Sequence, residues 1–416
     1  MQQYNITLTE DTVKRLFLDG IEGVLREVAE LTLNQLLEAR ASDICNAKPY
    51  EQTDERTDYR NGHRSRSFTT RLGKLELEVP RLRSQSVAED LFGNYKRSEQ
   101  SIIAAVAEMV VKGVSTRDVD DVARALFGEG VSKSQASRMC AVLDPVVSEF
   151  RDRPLSGYYP FVIVDAIYLD VRDDARVASN ALYVALGVNT SGRREVLGFE
   201  LVKSETKAGY KEFFRNLKAR GVERADLVVS DAHEGLHDAL KEEFLGASWQ
   251  RCQTHFTRNM LDKVPKAIWV EAKSMLHDIY YAPDADKARE RMKESVAFLS
   301  AKAPKAAALL EDSFDDITAV FALPQKYRTK LRTSNAVERV NEEIRRRDRA
   351  IRIYPSASSV YRIIGTLLQE INDDWRDGRL YLDMEEYLAG ADSAGTQPEP
   401  LTAAAAISGE QEEKAA

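Results

Sequence analysis

Three β-rich runs at the centre of the chain narrow the fold most. FVIVDAIYLD (161–170), ALYVALGVN (181–189) and EVLGFELVKS (195–204) follow one another across short turns. Their β-branched and aromatic residues predict an antiparallel meander. A helical segment AGYKEFFRNLKARG, a short strand DLVVSD and a second helix EGLHDALKEEF come next. A further strand is expected from Trp249 to Cys252, leading into a helix from about Thr254. Strands that give way to alternating helix and strand predict the α/β class, a mixed sheet with helices against it.

Within the first run, period-two geometry puts Asp165 in one row with Phe161, Ile163, Ile167 and Leu169. A carboxylate in an apolar row is costly unless its charge is compensated. A metal ion would do that, as would a backbone or arginine partner. Asp231 ends the strand LVVSD, where loops beyond strand ends carry functional groups. Its spacing to Glu234 is also that of a helix capping box. Glu338 has the same double reading with Asn335, and Glu342 lies one turn further on. Taken together, the three acids Asp165, Asp231 and Glu338 match the oxygen ligands that magnesium prefers, and two divalent ions roughly 3.5–4 Å apart promote phosphoryl transfer.

Such a site repels a polyanion unless cations surround it. The net charge is -8, yet two local blocks are strongly basic. One is RTDYRNGHRSRSFTTRLGKLELEVPRLR, containing Arg60, Arg64 and Arg66, and the other runs from Lys326 to Arg352 through Arg345, Arg346 and Arg347. Local fields of this kind point to a nucleic-acid partner. The first block carries an Asn-Gly turn signal and a strict alternation of Leu75, Leu77 and Val79 with Lys74, Glu76 and Glu78, so a small basic hairpin is expected there.

The amino-terminal VLREVAELTLNQLLEA has the apolar spacing of an amphipathic helix. Between 101 and 150 the text has the layout of a helix-turn-helix: Ser115 and Thr116 to cap a first helix, Gly128 and Gly130 to break it, and Ser132 to cap a second. Gln135 and Arg138 are the residues of that second helix placed to contact DNA. Residues from about 255 to 325 read as wholly helical, and 390–416 as a disordered tail. Three separated cysteines form no CxxC pair, which fits a reducing compartment. No apolar run approaches the roughly 20 residues of a membrane span and no signal-like leader opens the text. The expectation is a cytoplasmic protein with no membrane partner.

The blocks YRNGHRSR with TRLGKLELEVPRLR, VDAIYLDVR, VVSDAHEGL, RCQTHFTRN and SNAVERVNEEIRRRDRAIRIYP, in that order, resemble the bacterial insertion-sequence transposases of the mutator-type DDE family. The resemblance runs from about residue 30 to 385. It implies catalytic and metal-ligating roles for Asp165, Asp231 and Glu338, with Mg2+ or Mn2+ as cofactor. It implies a ribonuclease-H-like catalytic domain over 151–385 with an all-α insertion, preceded by a helical and hairpin region (1–100) and the helix-turn-helix-like region. It also places Cys252 and His255 in the active-site neighbourhood and implies a homo-oligomer acting on element ends and target DNA. Where the family often has tryptophan in the helix after the third strand, this chain has Tyr210.

Three other functions compete. A non-catalytic DNA-binding regulator accounts for the basic blocks but not for Asp165. A zinc hydrolase would use His233, His237, Cys252 and His255 but leaves the arginines idle. A DNA nuclease without strand transfer uses the same two-metal chemistry with water as nucleophile.

Overall fold

The computed structural model describes residues 21–87, 98–174 and 176–393. The chain divides into two compact units, residues 1–142 and 143–416.

In the first unit the periodic apolar segment forms α1 (Ile21–Cys45), and β1 (Arg60–Thr70) pairs antiparallel with β2 (Gly73–Leu82). Leu75, Leu77 and Val79 enter a small core with Leu37 and Ala41 of α1. Lys74, Glu76 and Glu78 stay exposed on the other side of β2, as strand alternation requires. The Asn61-Gly62 pair does not make the hairpin turn. The turn is Arg71-Leu72, and Asn61-Gly62 sits instead at a register shift inside β1. There Gly62 takes φ +74°, the left-handed conformation that a bulge asks of glycine.

Helices α2 (Gln100–Val111), α3 (Thr116–Phe127) and α4 (Lys133–Cys140) complete the unit. Ser115 caps α3 by accepting from the Asp118 N–H, and Gly128 ends it at φ 72°. Ser132 and Gln135 form a reciprocal capping box on α4. The apolar sides of α3 and α4 close on Ile102 and Val106 of α2, so the expected helix pair is part of a three-helix cluster.

The second unit opens on α5 (Asp144–Asp152) and then builds β3 (Phe161–Asp173), β4 (Arg176–Val188), β5 (Arg194–Val202), α6 (Lys207–Ala219), β6 (Leu227–Ser230), α7 (Glu234–Glu243) and β7 (Ser248–Arg251). The sheet order is β5-β4-β3-β6-β7. The first three strands are antiparallel; β6 pairs parallel with both β3 and β7. Next come α8 (Gln253–Leu261), α9 (Trp269–Tyr280), α10 (Ala285–Lys302), α11 (Pro304–Asp312), α12 (Phe314–Thr318) and α13 (Gln325–Leu331). The chain continues into α14 (Asn335–Ile351), α15 (Ala357–Asp377) and α16 (Glu385–Ser393).

Tyr183, Tyr210, Phe213, Phe214 and Leu236 join one sheet face to α6 and α7, while α14 and α15 pack on the other. Covered on both faces, β4 is buried without interruption from Ala181 to Val188, which is why that run reads as continuously apolar. The segment from α8 to α12 has its own core around Phe256, Leu276, Leu299, Leu310 and Ile317.

Helix α5 lies with this unit, a few residues ahead of the expected boundary at 151. Its Asp144 carboxylate accepts from Nε and Nη2 of Arg362 on α15, at 2.6 and 2.7 Å, a bidentate bond that holds the two helices together. Helix α16 runs to Ser393, and the rest of the expected tail lies outside the described residues. Among the described residues no helix is long and apolar enough to cross a membrane.

Candidate active site

Strand register brings the first two carboxylates together. β6 pairs with β3 only as far as Ile163 opposite Val229. Two residues beyond that pair on each strand stand Asp165 and Asp231, at the point where the parallel ladder ends. Ser230 pairs with Arg251 of β7, and the Cys252 N–H donates to the Ser230 carbonyl at 2.8 Å, so Cys252 follows at the same end of the sheet. The Gln253 N–H then donates to the Arg332 carbonyl at 3.0 Å, tying the start of α8 to the approach of α14. That helix packs on β3 and carries Glu338 in its first turn.

Neither capping box forms at the two ambiguous acids. Asp231 lies ahead of α7, whose N-cap is His233, and its Oδ1 accepts from the adjacent Ala232 N–H, at 2.6 Å. Asn335 is the first helical residue of α14 rather than its cap. Ser334 holds the cap position, but its hydroxyl turns away from the backbone. It lies 2.9 Å from Glu338 Oε1 and 3.2 Å from Cys252 Sγ. Neither acid is therefore consumed by a capping box at a helix terminus.

Asp165 is half-buried on β3, and its Oδ2 accepts from Nδ2 of Asn341 at 2.8 Å. Burial pushes its carboxyl up to about 6; the Ala166 N–H and His255 oppose the rise, and the charges of Asp231 and Glu338 add to it. The acid that the sequence places in an apolar row is thus under strain of charge, the condition a cation relieves. Asp165 and Asp231 line one cleft with Glu205, Tyr210 and His233. Glu205 was not among the residues the sequence singled out. It accepts from the Tyr210 hydroxyl at 2.6 Å, and Tyr210 is itself buried and stacked on Tyr183.

On the other side of Glu338 are Cys252 and His255. Ligand atoms of these three residues lie within 4.8 Å of one another. His255 is raised to about 9, chiefly by its hydrogen bond with Cys252 and against the effect of burial, with support from the Cys252, Asp231 and Asp165 charges. Burial alone would raise the Cys252 thiol, but hydrogen bonds with His255 and Ser334 reverse this and hold it below its ordinary value. The two shifts run in opposite directions, each favouring the charged form of its group. The four-ligand zinc alternative does not assemble among the described residues: His237 stacks on Trp249 with ring centroids 4.1 Å apart, and His233 packs beside Tyr210.

The expected DNA-contacting residues divide by exposure. Arg345 and Arg346 on α14 are exposed, whereas Arg347 is 3% exposed and bonds Glu343. The run of three arginines spans both sides of the helix, so Arg347 departs from its expected role on the DNA-facing surface. On β1, Arg64 is exposed and Arg66 half-buried. Arg60 turns inward, donating to the Ala47 carbonyl at 3.0 Å and Ser42 Oγ at 2.7 Å. On α4, Arg138 and Gln135 are both exposed, with Gln135 Oε1 already accepting from the Ser132 N–H at 2.9 Å.

Residues 1–378 match the family described as Transposase, Mutator family. The chain belongs to that family. It is 36% identical over 391 residues to the transposase for insertion sequence element IS256 in transposon Tn4001 of Staphylococcus aureus, covering 93% of this chain and all of the relative. It is 38% identical over 379 residues to the transposase for IS1081 of Mycobacterium tuberculosis, 91% of each chain. The transposase for ISRM5 of Rhizobium meliloti is 36% identical over 374 residues, 90% of this chain and 94% of that one. The resemblance read from the motif blocks and the family therefore agree.

Two residues that the motifs did not single out touch the acids directly. Asn341 and Ser334 hold Asp165 and Glu338, and Asn341 left a sequence signal. It occupies the buried stripe of α14 beside Val337, Val340 and Ile344, where a polar side chain needs a partner.

Proposed function

We propose that this protein is an insertion-sequence transposase that cleaves and joins DNA strands by a two-metal DDE mechanism at Asp165, Asp231 and Glu338. The observation that carries the reading is convergence: Asp165 and Asp231, 66 residues apart in sequence, stand beyond the end of one parallel ladder and line one cleft, and Glu338, 107 residues further on, lies near enough for its charge to raise Asp165 together with burial and Asp231. The strand order β5-β4-β3-β6-β7, an antiparallel meander extended by two parallel strands, supports a ribonuclease-H-like description of the sheet.

The donor set suits Mg2+ or Mn2+, because the three acids offer only hard oxygen atoms. When bound, such ions activate an attacking oxygen and stabilise the leaving one. Asp165, Asp231 and Glu338 would hold them. His255, carrying charge at neutral pH, offsets the carboxylates, and exposed Arg345 and Arg346 bind the phosphates of the approaching duplex. Arg64 and Arg66 of the hairpin and Arg138 and Gln135 of α4 contact element ends. The protein works in the cytoplasm as a homo-oligomer on paired ends.

The test is an oligonucleotide carrying the DNA that flanks this gene on either side, incubated with protein and Mg2+ or Mn2+. Nicked ends that go on to join a second duplex support a transposase. Nicking without joining means a nuclease, and binding without nicking means a regulator.

A further inference from the structure

We propose that Asn341 is a positioning residue that fixes the Asp165 carboxylate for cation binding, an inference that rests on the carboxylate site proposed above. Asn341 is 9% exposed and belongs to the buried stripe of α14, among Val337, Val340 and Ile344. A carboxamide in such a stripe costs free energy unless its groups are bonded. Its Nδ2 donates to Asp165 Oδ2 at 2.8 Å, and its Oδ1 is buried with no protein partner. The amide is therefore committed to the site through its donor, and its remaining acceptor has no structural use within the described protein.

The placement has a geometric consequence. Asn341 lies three residues after Glu338, so the two side chains are neighbours one turn apart on the same helix. One rigid turn of α14 thus presents a carboxylate of its own and a donor that holds a second carboxylate belonging to β3. With Oδ2 held by the amide, the Asp165 side chain is oriented and its carboxylate is presented to a cation. Residues that orient ligands in this way typically change metal affinity by about 10–100-fold when removed.

The experiment titrates metal-free protein with Mn2+ and follows free Mn2+ by electron paramagnetic resonance. Asn341→Leu, which keeps the γ-branched shape and removes the donor, should weaken Mn2+ binding by about 10–100-fold while the unfolding midpoint and DNA binding in Ca2+ stay near wild type. Asn341→His, whose ring N–H can occupy the place of Nδ2, should recover much of the lost affinity. Where Asn341→Leu does not fold, Asn341→Ala carries the same expectation. Mn2+ affinity within twofold of wild type in the leucine or alanine variant, with affinity lost in Asp165→Asn and Glu338→Gln, overturns the role of Asn341 alone. Unchanged affinity in all of these variants overturns the carboxylate site as well.

Discussion

The Ser334 hydroxyl stands 2.9 Å from Glu338 Oε1, one turn back along α14, and bridges from there to Cys252 Sγ at 3.2 Å. A hydroxyl has one proton to donate, so thiol and carboxylate compete for it, and the Cys252–His255 pair is linked to the acid cluster through that competition. Cys252→Ala removes the largest contribution holding His255 at about 9. The His255 pKa, read from its ring resonances by NMR, should fall toward the ordinary value, with burial then opposing what Asp231 and Asp165 still contribute. The stability sign follows from the raised value: this group's contribution is complete below about 6.5 and lost as pH rises through about 9. The stability difference between wild type and the alanine variant should therefore narrow across that window.

Asp165→Asn, Asp231→Asn and Glu338→Gln should each reduce strand cleavage by about a thousandfold or more, since each removes an oxygen ligand on which the two-metal chemistry depends. Binding to element ends, measured with Ca2+ in place of Mg2+, should change by less than about threefold, because phosphate contacts come from other residues. Full cleavage by any one variant would remove that residue from the site.

Burial and two neighbouring acids hold Asp165 at about 6 in the metal-free protein, a destabilising arrangement for the ionised form. A raised folded-state value means stability is fully present below the unfolded value of about 3.9 and lost as pH rises through about 6. Asp165→Asn cannot ionise and escapes that loss. Without metal it should be more stable than wild type by up to about 3 kcal/mol at pH 8, with the gap closing toward pH 4 in denaturant unfolding. Added Mg2+ should stabilise only the wild type.

Much of this was legible in the sequence. Period-two alternation exposed Asp165 as a carboxylate in an apolar row, and the strand-helix order announced the sheet. The capping patterns at Asp231 and Asn335 were ambiguous because a capping box and a site acid share one spacing; only the actual N-caps, His233 and Ser334, separate them. Arg347 misled for the opposite reason. A basic run reads as a single surface, yet helical spacing returns position 347 to the face of Val340 and Ile344. The Asn61-Gly62 pair carried the left-handed signal correctly, but a bulge and a turn both use it.

The exposure difference along α14 separates two effects of arginine removal. Arg345→Gln and Arg346→Gln should each weaken binding to all DNA sequences and lower the slope of log affinity against log salt by about 0.9, with stability unchanged. Arg347→Gln should leave that slope alone and lower unfolding free energy by about 1–3 kcal/mol, because it breaks a buried charged hydrogen bond. A salt slope that drops for Arg347 as much as for its neighbours would put its guanidinium at the DNA.

Gln135 has two roles that one substitution can part. Its Oε1 completes the capping box by accepting from the Ser132 N–H, and its exposure on α4 leaves the amide donor free to meet a base edge. Glutamate fills the same place in a capping box but carries no amide donor and adds a negative charge. Gln135→Glu should therefore unfold at the wild-type denaturant concentration while losing affinity for element ends by about tenfold or more, the discrimination a good base contact supplies. Gln135→Ala should instead cost about 0.3–1.5 kcal/mol of stability, because the reciprocal half of the capping box is lost while Ser132 still caps α4. Equal losses of Gln135→Glu on element ends and on random duplex would show general charge repulsion, leaving Gln135 as a cap that reads no base.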